Sequence, residues 1–501
     1  MNIIDCHIHA MPSQNYSAEI KRLIFRMEQN GIAQAVISDL GDGWLAFPDK
    51  ETLMAANSRL RKAVSESGGR LHFLVYINPQ LTDWRTVFDE FIQDACGVKL
   101  WISLKTPGNG LENTKDVLRA AASSGKPVLI HTFDRTDNVP DGQIGMSEII
   151  ELAHAVPDCR IVAAHAGGNW RKTISRAADV PENVYFDISG GYPERTMTSR
   201  LVSAFGAERV LYGSDAYGRS FASQLSKAAF GGFDEKQLES ILYLNSRRMF
   251  SLPKISPAEE REKTIWNIPD CESDNFAFAG KGKYFDHDIS VAMLASDAEK
   301  NNISAVYPAS LEALTSSDSI TANLKFLHDC EGYSIIHPLA AVDLRNMPEA
   351  MRQLDMLCGF AGVIISPYLH NYKLEYPAYS AFFDAVSLRG VKLWINTALG
   401  DDRFRDENLH SRRVSCDEII TFASTAPRGS YIFQGCSELV KLSNELPEYC
   451  SVECSKLSDF EYVPDELFRT GKPERLCFGS EYPFRDYAEV SSVLGGRKFF
   501  S

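Results

Sequence analysis

Asp5-Cys6-His7-Ile8-His9 closes an apolar run near the start of the chain. Alternate side chains of a β-strand share a face, so His7 and His9 can converge on one ion from a single short segment. A strand can equally carry one packed and one solvated histidine, so the pair needs company. His131, His165 and Asp215 each stand near the C-terminal end of a later apolar run, and Lys99 near the end of another. Catalytic zinc takes three protein ligands and keeps a position open for water, so four histidines and a carboxylate can fill that shell and leave a general base over.

Such residues need a scaffold that gathers different strands at one end. Short apolar runs at 2–9, 33–40, 71–78, 95–104, 126–133, 160–167, 183–190 and 209–216 alternate with amphipathic stretches of helix length. Eight βα units predict a parallel (β/α)8 barrel, whose buried strands read as continuous apolar runs and whose active site lies at the strands' C-terminal ends. A last helix, 234–250, starts at an Asp234 cap and turns Leu238, Ile241, Leu242 and Met249 inward. A first domain therefore spans 1–251.

In IIDCHIHA, PVLIHT, AAHAGG, the run Gly213-Ser214-Asp215 and the helix end Asn245-Ser246-Arg247-Arg248-Met249-Phe250, the chain resembles the amidohydrolase superfamily. The likeness is to its amidohydrolase-related branch of metal-dependent hydrolases and non-oxidative decarboxylases, and it covers residues 1–251. It implies that His7, His9, His131 and Asp215 hold one divalent metal, Zn²⁺ first, with Mn²⁺ or Fe²⁺ as alternatives. His165 is then a further ligand or an acid/base group. Asp215 and His165 form the implied catalytic pair: Asp215 takes a proton from metal-activated water and passes it to the leaving group, while His165 polarises the carbonyl. Superfamily members with two metals often bridge them through a carboxylated lysine on strand four, which makes Lys99 a candidate second-metal ligand. The family usually has proline two residues after the strand-eight aspartate; Tyr217 stands there in this chain and alters the expected pocket.

Pro253, Pro257 and Pro269, with the charged run Glu259-Glu260-Arg261-Glu262-Lys263, mark 252–282 as a linker. Eight apolar runs then recur, at 283–289, 303–309, 333–340, 361–368, 390–397, 429–436, 449–455 and 475–482. A repeat of this size is a duplicated domain, so the expected fold class is α/β with two tandem (β/α)8 TIM-like barrels, the second at 283–501. This alignment sets Asp288, Ser290, Ile364, Asn396, Gln434 and Glu481 opposite His7, His9, Lys99, His131, His165 and Asp215. No histidine ligand survives, so the second barrel is expected to be degenerate and without a catalytic metal. The alternative is a hard-ion site on Asp286, Asp288 and Glu481. The fused copy is expected to replace the second subunit of a homodimer, giving an intramolecular pseudo-dimer.

A formal net charge of −14 argues against a nucleic-acid partner or an anionic membrane surface. No basic segment leads an apolar export signal and no apolar run approaches a bilayer-spanning length, so a cytoplasmic location is expected. Eleven cysteines without regular spacing read as buried thiols. The expected partner is a small-molecule substrate. Loops after the strands offer Asp42, Trp44, Trp101, Asp134, Arg135, Trp170, Arg171, Tyr192, Tyr217 and Arg219. Trp101, Trp170, Arg171, Tyr217 and Arg219 are the substrate-binding candidates, since guanidinium forks grip carboxylates and rings stack on rings, although each can equally serve packing. The leading function is hydrolysis of a small amide, lactone or related ester. Its alternatives are non-oxidative decarboxylation of an aromatic or unsaturated acid, and a non-catalytic ligand-binding or scaffold role.

Overall fold

The computed structural model describes residues 1–501 except 44–45, 103–109, 136–142, 255, 257–260 and 495–501. Trp44, Pro257, Glu259 and Glu260 lie outside the described residues. The chain forms two compact units, one of them Met1–Thr264 and the other beginning at Ile265.

The first unit is built from β1 (Ile3–His9), β2 (Ile32–Ser38), β3 (Leu71–Ile77), β4 (Gly97–Leu100), β5 (Val128–Ile130), β6 (Ile161–Ala163), β7 (Val184–Asp187) and β8 (Val210–Leu211), one sheet in sequence order. Every residue of β1 and β2 is buried, as continuous apolar strands between a filled interior and a coat of helices must be. Helix Tyr16–Gln29 shows how the coat is specified: Asn15 caps it by accepting from the Ala18 N–H, and Ile20, Leu23 and Met27 face the strands at helical spacing. A cap of this kind contributes about 1 kcal/mol. Asp234 caps the last helix by accepting from Gln237 N at 2.8 Å, and a π turn at Ser240–Leu244 widens that helix before Asn245–Met249. Bonds from Cys6 N to Tyr212 O (2.9 Å) and from His9 N to Ala216 O (2.8 Å) join β1 to the β8 side and close the barrel.

Asp5 is the strap of that closure. Its Oδ1 accepts from Ser214 N (3.0 Å) and His7 N (3.1 Å), tying strand one to the strand-eight turn from inside. Burial pushes its carboxyl up to about 7. The neutral acid is favoured in the fold and the ionised one in the unfolded chain, so this group's stabilisation is present below about pH 4 and is lost as pH rises to about 7. Asp5→Asn keeps the acceptor and removes the titration. Its stability deficit against wild type is therefore expected to shrink by up to about 4 kcal/mol between pH 4 and 8 in chemical denaturation, whereas a constant deficit would contradict the assignment.

The second unit contains β9 (Ser273–Lys281), β10 (Asp288–Ile289), β11 (Ala305–Ser310), β12 (Leu339–Val342), β13 (Gly362–Ile365), β14 (Leu393–Asn396), β15 (Tyr431–Gln434), β16 (Cys450–Glu453) and β17 (Leu476–Cys477). Apart from β10, which pairs antiparallel with the end of β9, these strands are parallel and in sequence order. Asn275 N to Phe478 O (2.9 Å) and Phe278 N to Tyr482 O (2.8 Å) join its edges. Both units are α/β TIM-like barrels.

Strand one of the second unit corrects the sequence alignment. The expected strand at 283–289 contains only the short β10, whereas β9 lies inside the segment taken for a linker. Asp274 Oδ1 accepts from Ser480 N (2.9 Å) and Phe276 N (3.0 Å), the same strap that Asp5 makes. By register, Phe276 and Phe278 stand where His7 and His9 stand, in place of Asp288 and Ser290. Asp288 is exposed, and the His287 ring lies against Phe484 at 4.6 Å. The Asp-His-Asp of 286–288 imitated the metal motif, while Phe-Ala-Phe carries no polar mark.

All eleven cysteines are free thiols, most of them buried, with Cys271 and Cys358 exposed. Among the described residues no helix is long and apolar enough to cross a membrane.

Candidate metal centre

His7 and His9 point into the barrel from alternate positions of β1, their Nε2 atoms 3.2 Å apart. Asp215 enters from the turn after β8, where a left-handed φ of 64° and a bond from its N–H to His7 O (2.7 Å) fix it beside strand one. Its Oδ1 lies 3.4 Å from His9 Nε2 and 3.9 Å from His7 Nε2. Donors on a tetrahedral ion with bonds of about 2.0–2.1 Å are about 3.3 Å apart, so these three atoms are spaced as one ion requires.

The other rings sit alongside. His165, also at positive φ (59°) after β6, stacks on His7 with centroids 5.2 Å apart, and its Nε2 lies 3.1 Å from His131 Nδ1. His131 is one ring further out, 5.0 Å from the Trp101 ring. Lys99 is fully buried and its Nζ approaches His7 Nε2 at 2.9 Å.

Three residues of the site carry no signal in the sequence: Asp187, Ser189 and Ser38. Asp187, at the end of β7, places Oδ2 3.0 Å from His7 Nδ1, and its Oδ1 accepts from His165 N (3.1 Å), Ser189 N and Ser189 Oγ. Ser38 bonds His9 Nδ1 at 2.8 Å. A lone aspartate or serine at a strand end has no pattern to flag it; only the fold brings these groups behind the two imidazoles.

The chain matches the amidohydrolase family over residues 4–252. Residues 4–252 belong to that family. No curated protein matches the chain. Among solved structures the chain is similar to a 2,6-dihydroxybenzoate decarboxylase from Rhizobium, with 15% identity and a TM-score of 0.41, covering 50% of this chain and 99% of that one. It is also similar to a dihydroxybenzoic acid decarboxylase from Polaromonas sp. JS666 with bound manganese (15%, TM-score 0.40, 50% and 97%). A third is a candidate 2-pyrone-4,6-dicarboxylic acid hydrolase from Pseudomonas putida (18%, TM-score 0.37, 50% and 97%).

The electrostatics of this amidohydrolase barrel suit a metal. Burial holds the His9 ring down to about 4 and His165 to about 3, and pushes His131 well below its ordinary range. All three are neutral at pH 7, the form in which imidazole ligates. Burial alone would raise Asp215 and Asp187, but the surrounding imidazoles outweigh it and hold both carboxylates below their usual range. A carboxylate only accepts, so Asp187 draws the proton of His7 onto Nδ1 and leaves the Nε2 lone pair turned toward His9 and Asp215. Burial lowers Lys99 to about 8. Among the described residues, the donor groups close enough to share one ion are His7, His9 and Asp215, and His7, His165 and Asp187. The residues fit a divalent cation.

Asp187→Asn leaves an oxygen for one of these contacts and loses the paired acceptor behind His7. Loss of such a supporting carboxylate is expected to weaken metal affinity about 10–100-fold with an unchanged circular dichroism spectrum, and unaltered affinity in a metal titration would contradict the role.

The substrate-binding candidates fare unevenly. Trp101 flanks His131, and among the described residues its buried Nε1 has no hydrogen-bond partner. Trp170 donates from Nε1 to Glu194 (3.1 Å), and Arg171 pairs with the same carboxylate at 2.7 Å while stacking on the Trp170 ring. Arg219 donates to Gly190 O and lies over Tyr192. Tyr217 is buried, following a cis Ala216–Tyr217 peptide. Asp42 and Asp134 are engaged by Arg59 and Lys172.

Proposed function

We propose that the first barrel is a hydrolase that uses one divalent cation, zinc by preference, on a small amide, lactone or related ester. The observation that carries this reading is the ion-sized triangle of His7 Nε2, His9 Nε2 and Asp215 Oδ1. Zinc suits it best among the common divalent ions, because two imidazoles and a carboxylate leaving an open position form its usual catalytic shell.

A cation held there supplies Lewis acidity and makes water acidic enough to act as a nucleophile near neutral pH. The protein does the rest. Asp215, ionised and fixed by its backbone bond to β1, accepts the proton of the attacking water and returns it to the departing nitrogen or oxygen. His165, held upright by Ser189 at 3.0 Å, supports the oxygen on which charge develops, a task in which one donor is worth roughly a hundredfold or more in rate. Trp101 lines the same mouth and offers an indole N–H to an acceptor on the substrate.

Decarboxylation asks for a cationic grip on a carboxylate, which the divalent cation itself or an arginine would give. Of the two arginines read for that purpose, Arg171 has its charge met by Glu194, which supports hydrolysis, while Arg219 donates to the neutral Gly190 carbonyl and keeps its charge. Metal-loaded chain incubated with amides, lactones, esters and aromatic acids in deuterated water separates the two. Cleavage with no deuterium on product carbon is expected; release of carbon dioxide with deuterium at the vacated carbon would replace hydrolysis by decarboxylation.

A further inference from the structure

The second barrel poses a question the first does not answer: what neutralises its strand-eight carboxylate? Glu481 stands where Asp215 stands, one residue before the partner of the closing strand-one N–H, and at a similar φ of 59°. It is fully buried, and a lone buried carboxylate is costly unless a cation and hydrogen bonds satisfy it. The ligands that would bring a metal to it are gone. Phe276 and Phe278 replace the two histidines of strand one. Asn396, at the position of His131, accepts from Ser366 Oγ at 2.8 Å and donates to Ala398 O at 2.9 Å. At the position of His165 stands Gly435, rather than the Gln434 of the sequence alignment. Its N–H reaches Glu453 at 2.7 Å just as His165 N reaches Asp187.

We propose that the second barrel carries built-in cations in place of a metal: Lys456 and Arg485 neutralise Glu481, and the unit binds no divalent ion at this position. Lys456 Nζ lies 2.6 Å from Glu481 Oε2, and Arg485 Nε 2.9 Å from the same oxygen, while Oε1 accepts from Gly400 N at 2.7 Å. Lys456 is 1% exposed and Arg485 0%. The rest of the Arg485 fork is taken by Glu489, Ser458 and Asp459, so this cation is itself anchored on three sides. Phe484 caps the mouth against Phe278 and Phe285 with centroids 6.1 and 5.2 Å away. Among the described residues, both donor groups close enough to share an ion belong to the first unit. The hard-ion alternative fails as well, since Asp288 faces solvent on β10 and Glu481 is saturated by its two cations and one backbone N–H. This inference does not depend on the reaction of the first barrel.

Hydrogen exchange read peptide by peptide on the full chain tests it. Removing one partner of a buried ion pair strands the other, whereas removing both is far milder. Lys456→Met is expected to speed exchange at least tenfold in peptides spanning 450–459 and 476–486, Lys456→Arg to stay near wild type, and Lys456→Met/Glu481→Gln to return most of the way. If Lys456→Met does not fold, recovery of folded chain on adding Glu481→Gln supports the same pairing, and failure to recover it counts against the pairing. In a His7→Ala/His9→Ala background, Zn²⁺ or Mn²⁺ is expected to leave these peptides unchanged. Wild-type exchange in Lys456→Met, or ion binding in that background that Glu481→Gln abolishes, would overturn the proposal.

Discussion

His7→Ala/His9→Ala is expected to reduce bound metal from about one ion per chain to less than a tenth, and to bring hydrolysis to background. The two rings supply two of the three donors in the ion-sized triangle, and Asp215 alone is a weak monodentate site. A fall of at least about a thousandfold in affinity, about 4 kcal/mol, is the minimum expected from losing them. Alanine here also opens space in a buried strand, so the circular dichroism spectrum must stay that of wild type for the comparison to stand. Undiminished metal content in this variant would place the ion elsewhere, with the second donor group, His7, His165 and Asp187, excluded by the same loss of His7.

Asp215→Asn separates holding from catalysis. The amide keeps the shape and one oxygen, and its backbone bond to His7 O is untouched. The base is lost. Turnover is expected to fall by about 10²–10⁴, the usual range for a positioned general base, with kcat falling while substrate binding changes little. Metal content measured on the same preparation should remain above half of wild type. Turnover within a factor of three of wild type would remove Asp215 from the proton path.

Much of this is legible in the chain because strands and helices write periods into sequence. Eight apolar runs mark the strands of the first barrel, and histidines two apart on a strand declare a shared face. Asp234 announces a helix start as any good cap does. Partnerships across the barrel are not legible. Asp187 matters because the fold sets it 3.0 Å from His7 Nδ1, some 180 residues away in sequence, and nothing local distinguishes it from a solvated aspartate. Arg171 reads as a carboxylate grip until the fold brings Glu194 to take its charge. In the second barrel the first strand carries Phe276 and Phe278 at the register positions of His7 and His9, so the nearby Asp-His-Asp is the stronger decoy. The Asp274 strap, present on a strand without histidines, is the more faithful marker of strand one, because it ties that strand to the strand-eight turn and so closes the barrel.

The most direct measurement is anomalous diffraction at the zinc absorption edge from crystals of the full chain grown with Zn²⁺. One strong peak is predicted, within bonding distance of His7 Nε2, His9 Nε2 and an Asp215 oxygen, with none beside Glu481. An empty His7–His9–Asp215 triangle in a zinc-saturated crystal would contradict a metal-dependent first barrel.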